Sequence, residues 1–192
     1  MMAKDQSRPS TGKKATEAMA TRKREPAVRK AAVVKPAREL DQIDLNVLDL
    51  LQKNGRLANK DLARIIKLSP TPCLRRVGQL TQAGYIRGYR AILDPAMLGF
   101  TLRAFLSLKR SRDSQRDKLT AQILAIPEVQ ACHVVSGEYD FLVELLARDM
   151  DDYARIAIGH ISELPGIYDL RSTFSIVPLK TVGDLPISKG PF

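Results

Sequence analysis

Residues 68–85 read Leu-Ser-Pro-Thr-Pro-Cys-Leu-Arg-Arg-Val-Gly-Gln-Leu-Thr-Gln-Ala-Gly-Tyr, an order that marks where a helix begins and how its faces divide. Ser69 suits an N-cap, and Pro70 suits the first helical position, where its missing N–H removes a donor that would have no partner anyway. Leu74, Val77 and Leu80 recur at helical spacing and predict one apolar stripe, with Thr71, Arg75, Arg76 and Gln79 on the remaining surface. That polar set matches the chemistry of duplex DNA: arginine to guanine O6 and N7, glutamine to adenine N6 and N7, threonine to a thymine methyl or a phosphate oxygen. Taken alone, the segment fits an ordinary amphipathic surface helix equally well. Its surroundings decide.

Upstream, Leu40, Ile43, Val47, Leu50 and Leu51 form an apolar stripe, so residues 41–53 are expected as a first helix, stopped by Asn54-Gly55. Asn59 is expected to cap a short second helix with Leu62, Ile65 and Ile66 facing inward. Only Lys67, Leu68 and Ser69 separate that helix from Pro70, which is the spacing of a helix-turn-helix. Downstream, the run from Tyr85 to Leu93 is rich in β-formers around Gly88 and predicts a small wing bearing Arg87 and Arg90. Residues 39–93 are therefore expected to form a winged helix-turn-helix.

Charge divides the chain in the same way. Residues 1–38 hold 11 Lys/Arg against 3 Asp/Glu and no aromatic residue, so this segment carries +8 of the chain's formal +10 and is expected to be a disordered basic tail. Within the body, residues 39–90 hold 9 basic and 5 acidic groups, whereas residues 100–192 hold 11 and 12. Charge suited to phosphate is thus confined to the first half of the body. No stretch approaches the roughly 18 apolar residues of a membrane span. Met1-Met2-Ala3-Lys4-Asp5 lacks the apolar core of a signal peptide, and Asp5, Glu17 and Glu25 argue against an organellar transit peptide. A cytoplasmic protein with no membrane partner is expected. Cys73 and Cys132 fall in different expected domains, so no disulfide is expected. His133 and His160 are the only histidines, and no metal-ligand spacing appears. Gly12-Lys13-Lys14 lacks the upstream glycine of a phosphate loop, no Gly-x-Gly-x-x-Gly occurs, and acidic pairs such as Glu138 with Asp140 read as solvated loops. No enzyme, cofactor or metal is expected.

After a linker at residues 94–100 the pattern changes. Leu102, Ala104, Leu106 and Leu108 alternate with Arg103, Phe105, Ser107 and Lys109, predicting a strand over 101–109. Leu119, Ile123, Leu124 and Ile126 predict a helix ended by Pro127. Strands are expected at 129–136 and 141–147 around the loop Gly137-Glu138-Tyr139-Asp140, a second helix at 151–164 with Tyr153, Ile156, Ala157 and Ile161 inside, and a last strand at 167–178. The order β-α-β-β-α-β is that of a ferredoxin-like sandwich, so the fold class is α+β, with this domain over 101–180 and a C-terminal tail at 181–192. Both parities are apolar in Val134-Val135 and Phe141-Leu142-Val143, so the sheet face away from the helices predicts a partner subunit, most economically a second copy.

With these segments in place, the chain resembles the Lrp/AsnC, or feast/famine, family of transcription regulators. The resemblance is carried by Leu40-Asp41-Gln42-Ile43-Asp44, by Leu68-Ser69-Pro70-Thr71-Pro72-Cys73-Leu74-Arg75-Arg76-Val77 and by Val135-Ser136-Gly137-Glu138-Tyr139-Asp140, and it runs from about residue 39 to 186. The Ser-Pro-Thr-Pro-Cys form is similar to that of the family's leucine-responsive branch. The resemblance implies DNA binding through the first domain, a RAM-type second domain that dimerises, further assembly to octamers, and small-molecule effectors, usually amino acids. Gly78 stands where relatives commonly carry a larger residue, at about 1 kcal/mol of helix stability relative to alanine.

For duplex DNA the expected contacts are Ser69, Thr71, Arg75, Arg76 and Gln79, with Asn59 and Lys60 on phosphate and Arg87 or Arg90 from the wing. Cys73 is read as a small structural residue. For the effector, the resemblance points to Gly137, Glu138, Tyr139 and Asp140, where glycine permits close approach and a carboxylate can hold an ammonium group. A plain hairpin turn explains the same residues. Met150, Arg171, Thr173 and Ser175 are expected as further walls of that pocket. An architectural, nucleoid-associated protein that wraps DNA without effector control is the alternative function.

Overall fold

In the computed structural model, which describes residues 39–181 and 183–187, the first helix, α1 (Gln42–Lys53), starts on a reciprocal capping box. The Asp41 carboxylate accepts the Asp44 N–H at 2.8 Å, and the Asp44 carboxylate accepts the Asp41 N–H at 3.3 Å, which satisfies two donors that a helix start leaves open. The basic N-terminal segment expected to be disordered lies outside the described residues. Helix α2 (Asn59–Ile65) and helix α3 (Pro70–Gln82) follow, joined by a turn in which Lys67 takes a left-handed φ of 57°. Val47, Leu51, Leu62, Ala63, Cys73 and Leu80 form the small core between the three helices, with Leu57, Ile66, Val77, Tyr85 and Ile86 packed on its rim.

Expectations fail here at Ile65 and over the segment 85–93. Ile65, expected inward, is half exposed, and Ala63 occupies the core instead. The segment 85–93 forms no strand: Tyr85 and Ile86 both donate to the Leu80 carbonyl, and the chain runs on in irregular extended form. A strand needs a partner strand for its N–H and C=O groups, and the sheet of the described residues is made of the four strands of the second domain. Tyr85 and Ile86 serve packing instead, and the Tyr89 ring lies so close over Gly55 that an added Cβ would sit 3.0 Å from it, while Ile92 and Leu93 stay exposed.

A short 3-10 turn at Ala96–Leu98 leads into the second domain, built as β1 (Leu102–Arg110), α4 (Arg116–Leu124), β2 (Val129–Val134), β3 (Phe141–Ala147), α5 (Met150–Tyr153) and β4 (Ile167–Phe174). The antiparallel sheet has the order β2-β3-β1-β4, which is the expected ferredoxin-like arrangement. Its register sets Leu106 opposite both Val143 and Ser172. Ala104, Leu106, Leu108, Phe141, Val143 and Leu145 face the helices and are fully buried against Leu119, Ile123, Ile156 and Ile161. The expected second helix differs in kind, because after one α-turn residues Ala154–Ile161 continue as a π-helix. Ile156 and Ile161 are five residues apart, and the i to i+5 turn keeps both on the sheet. Gly166, at φ 104°, is required where the chain leaves this helix, because a Cβ there would meet the Ser114 Cβ at 2.4 Å.

The other sheet face carries Phe105 and Leu142 half-buried at its centre, with Arg103 ion-paired to Glu144 beside them. Beyond β4 the chain reaches back to α1. There the Gln52 side-chain amide donates to the Leu185 carbonyl and accepts the Leu185 N–H, each at 3.0 Å. No helix of the described residues is long and apolar enough to cross a membrane.

Candidate nucleic-acid interface and hairpin loop

Helix α3 begins as expected at Ser69 and Pro70, although the Ser69 side chain makes no capping hydrogen bond. Its inward stripe is Cys73, Val77 and Leu80. Leu74, expected in that stripe, is instead 62% exposed, because both spacings are helical and the smaller Cys73 fits under the turn against α2. Thr71, Leu74, Arg75, Gly78, Gln79 and Gln82 therefore share the outward face. This face offers a guanidinium and two amides for base edges, and in Leu74 an apolar group for a thymine methyl. Sequence reasoning missed Leu74 as a surface residue.

Arg76 does not share that face. Its Nη1 donates to Asp41 Oδ2 at 2.7 Å and to Asp44 Oδ1 at 2.8 Å, and only a quarter of its side chain is exposed. Asp44 has no exposed surface at all. The expectation that Arg76 stands beside Arg75 on the DNA side is corrected accordingly: adjacent helical positions lie about 100° apart, and this one points at α1.

Asn59 is not the cap of α2, since Ala58 occupies that position and Asn59 is the first helical residue. Its amide nitrogen donates to the Pro70 carbonyl at 2.9 Å and so ties the start of α2 to the start of α3. Its Oδ1 is buried with no hydrogen-bond partner among the described residues. Lys60, Arg87 and Arg90 are exposed, the two arginines on the irregular segment rather than on a wing strand.

At the tip of the β2–β3 hairpin, Gly137 turns at φ 122° and Glu138 is exposed. Asp140, expected to meet a ligand, is occupied within the chain. Its carboxylate accepts the Arg110 N–H at 2.9 Å and pairs with the Arg110 guanidinium at 3.6 Å, which pins the hairpin to the end of β1. Tyr139 donates to Asp169 at 3.1 Å, and Arg171 sits 5.7 Å from its ring centroid. Desolvation, and then the Asp169 carboxylate, hold the Tyr139 phenol above its ordinary pKa. A shallow depression of about 390 Å³, lined by Arg110, Gln115, Arg116, Asp117 and Lys118, opens beside this anchor. Arg110 and Asp169 were not legible as site residues, because only the strand register brings them to the loop.

Arg171 joins the loop, but Met150, Thr173 and Ser175 do not. Thr173 pairs in register with Phe105, Ser175 donates to the Arg103 carbonyl, and Met150 follows the far end of β3. Seven-residue β3 separates that end from the hairpin by about 20 Å. One chain therefore does not wall a single pocket with all the expected residues. Cys73 and Cys132 are free thiols, both raised in pKa by burial. Among the described residues no group of three or more His, Cys, Asp or Glu is arranged to hold a metal ion.

Comparison with known proteins follows this division. Residues 40–87 match the family model described as winged helix-turn-helix DNA-binding, and residues 103–184 match the Lrp/AsnC ligand binding domain. The leucine-responsive regulatory protein of Salmonella typhimurium is 39% identical over 140 residues, 72% of this chain and 85% of the relative. That of Escherichia coli K12 is 38% identical with the same coverage. Among solved structures, a transcriptional regulator from Neisseria meningitidis in complex with L-Met is similar with a TM-score of 0.75 at 34% identity, covering 77% of this chain and 97% of that one.

Proposed function

Because this chain belongs to the Lrp/AsnC family of transcription regulators, with a DNA-binding and a ligand-binding domain, we propose that it reads duplex DNA with the outward face of α3 under the control of an amino-acid effector. The observation that carries the reading is the composition of that face: Thr71, Arg75 and Gln79 stand exposed on a helix whose other side is anchored in the core. Lys60, Arg87 and Arg90 supply phosphate contacts at its margins, and the basic segment 1–38 adds further ones that are indifferent to sequence.

The amino-acid class rests on the L-Met complex of the Neisseria relative. In this chain Glu138 is the exposed carboxylate of the hairpin and the partner for an ammonium group, while Arg116 and Lys118 of the neighbouring depression answer a carboxylate. The protein acts in the cytoplasm as a homodimer joined through the sheet face that holds Phe105 and Leu142, with octamers as the higher assembly. The far-end residues Met150, Thr173 and Ser175 then complete an effector site only where another copy brings them near a hairpin.

Titrating the protein with a duplex enriched from a random library and with a scrambled duplex, each with and without a panel of amino acids, tests this reading. Preference for the enriched duplex that shifts with one amino acid supports it. Equal affinity for both duplexes with no response favours the architectural alternative, for which the +8 charge of residues 1–38 is the supporting observation.

A further inference from the structure

We propose that Arg76 is a positioning residue for DNA reading: its paired contact with Asp41 and Asp44 sets the rotation of α3 about its own axis, and it touches no DNA. The inference rests on the reading of α3 as the DNA-contacting helix and adds to it what holds that helix in register.

The start of α3 is held by Cys73 in the core and by the Asn59 bond to the Pro70 carbonyl. The Ser69 side chain makes no capping hydrogen bond, and Gly78 lowers helix propensity in its middle. Against this, one guanidinium nitrogen of Arg76 reaches two carboxylates of α1 at 2.7 and 2.8 Å, across 35 and 32 residues of sequence. Asp44 serves both helices at once, with Oδ2 closing the capping box of α1 and Oδ1 receiving Arg76. Since Asp44 is wholly buried, rotating Arg76 away would take a charged hydrogen-bond donor from a carboxylate that water does not reach. The rotation in question need only be small. With side-chain tips about 5–6 Å from a helix axis, a turn of about 20° displaces Arg75 or Gln79 by about 2 Å. That exceeds the tolerance of a bidentate hydrogen bond to a base edge. The segment Leu40–Asp44 and Arg76 thus act as one latch, and its output is the setting of the neighbouring side chains.

The test compares the full chain with Arg76→Ala, Asp44→Asn and the double variant, binding a duplex enriched by the wild type and a scrambled duplex over a range of salt. Each single change is expected to weaken enriched-duplex binding about tenfold or more while scrambled-duplex binding holds, the scale of one base-edge interaction removed. The salt slope should stay at the wild-type value, and the double variant should lose no more than Arg76→Ala alone. Arg76→Lys, with a charge but no fork, should restore selectivity in part. Several results overturn the proposal: a slope reduced by about 0.9, which marks one phosphate no longer neutralised, losses that multiply in the double variant, or full selectivity retained in Asp44→Asn. If circular dichroism shows Arg76→Ala unfolded, Asp41→Asn is read instead, because its carboxylate is half exposed. Reduced selectivity at an unchanged slope then supports the latch, and unchanged selectivity refutes it. A wild type that enriches no duplex overturns the DNA reading itself, and the latch with it.

Discussion

Replacing Gly78 by alanine should stabilise the helix-turn-helix while leaving every interaction in place. Gly78 lies inside α3 on its exposed face, and a Cβ built there meets nothing within 4 Å. The substitution therefore has no steric cost, and its effect reduces to helix propensity: alanine loses less backbone freedom than glycine on entering a helix, worth about 0.8–1 kcal/mol. For a domain of this size that gain raises Tm by about 4–8 °C if it melts as its own unit, and by about 2–4 °C if the whole body melts together. Urea unfolding followed by circular dichroism is the assay, and the midpoint should rise with the slope unchanged. A midpoint that stays or falls would refute the reasoning, since it would mean that the outer face of α3 is already covered or that its helical order does not limit stability. Duplex binding by the same variant adds a second reading. Lost affinity with gained stability would put the DNA backbone or a base edge against Gly78.

Arg75→Ala should weaken enriched-duplex binding by about 1–3 kcal/mol and scrambled-duplex binding far less, in a competition assay at fixed salt. Removing residues 1–38 should flatten the log–log salt dependence by about 0.9 for each phosphate that the tail had neutralised, and an unchanged slope would deny the tail a DNA role. Glu138→Gln should abolish the calorimetric signal of the effector amino acid with the fold intact, whereas Asp140→Ala should lower the thermal midpoint by freeing the hairpin from Arg110. The Arg148 N–H and then Arg155 hold the Asp152 carboxyl below its ordinary value of 3.8, so its contribution to stability is present above that pH and lost as pH falls through the folded value. Urea midpoints of wild type and Asp152→Asn should accordingly differ near neutrality and converge below about pH 4, and a constant gap would contradict the assignment.

Much of this molecule was legible because its cores are periodic. The alternation of Leu102, Ala104, Leu106 and Leu108, and the breaks at Pro127 and Pro165-Gly166, led directly to the succession of strands and helices along the chain. Cys73 and Leu74 show where periodicity stops: with Val77 and Leu80, either one completes a helical stripe, and only packing against α2 selects the cysteine. Arg76 and Asp140 were both assigned outward roles from their charge, yet each spends that charge on a partner about 30 residues away, which no local pattern reports. The β-formers of 85–93 had the propensity for a strand, yet the segment is not part of the sheet. The π-helical stretch at 154–161 has apolar spacing that fits an α-helix nearly as well.

The return of the chain from β4 to α1 changes the mechanics of the two domains. A body hung from its neighbour by one linker, here residues 94–100, swivels as on a ball joint. The reciprocal pair between Gln52 and Leu185 adds a second point of attachment, and two points leave a single axis, as on a door. Both hydrogen bonds are exposed, at about 0.5–1.5 kcal/mol each, so thermal motion opens this catch readily and recloses it. While the catch is closed, Gln52 and Leu185 restrict the turning of the helix-turn-helix that the linker alone would permit.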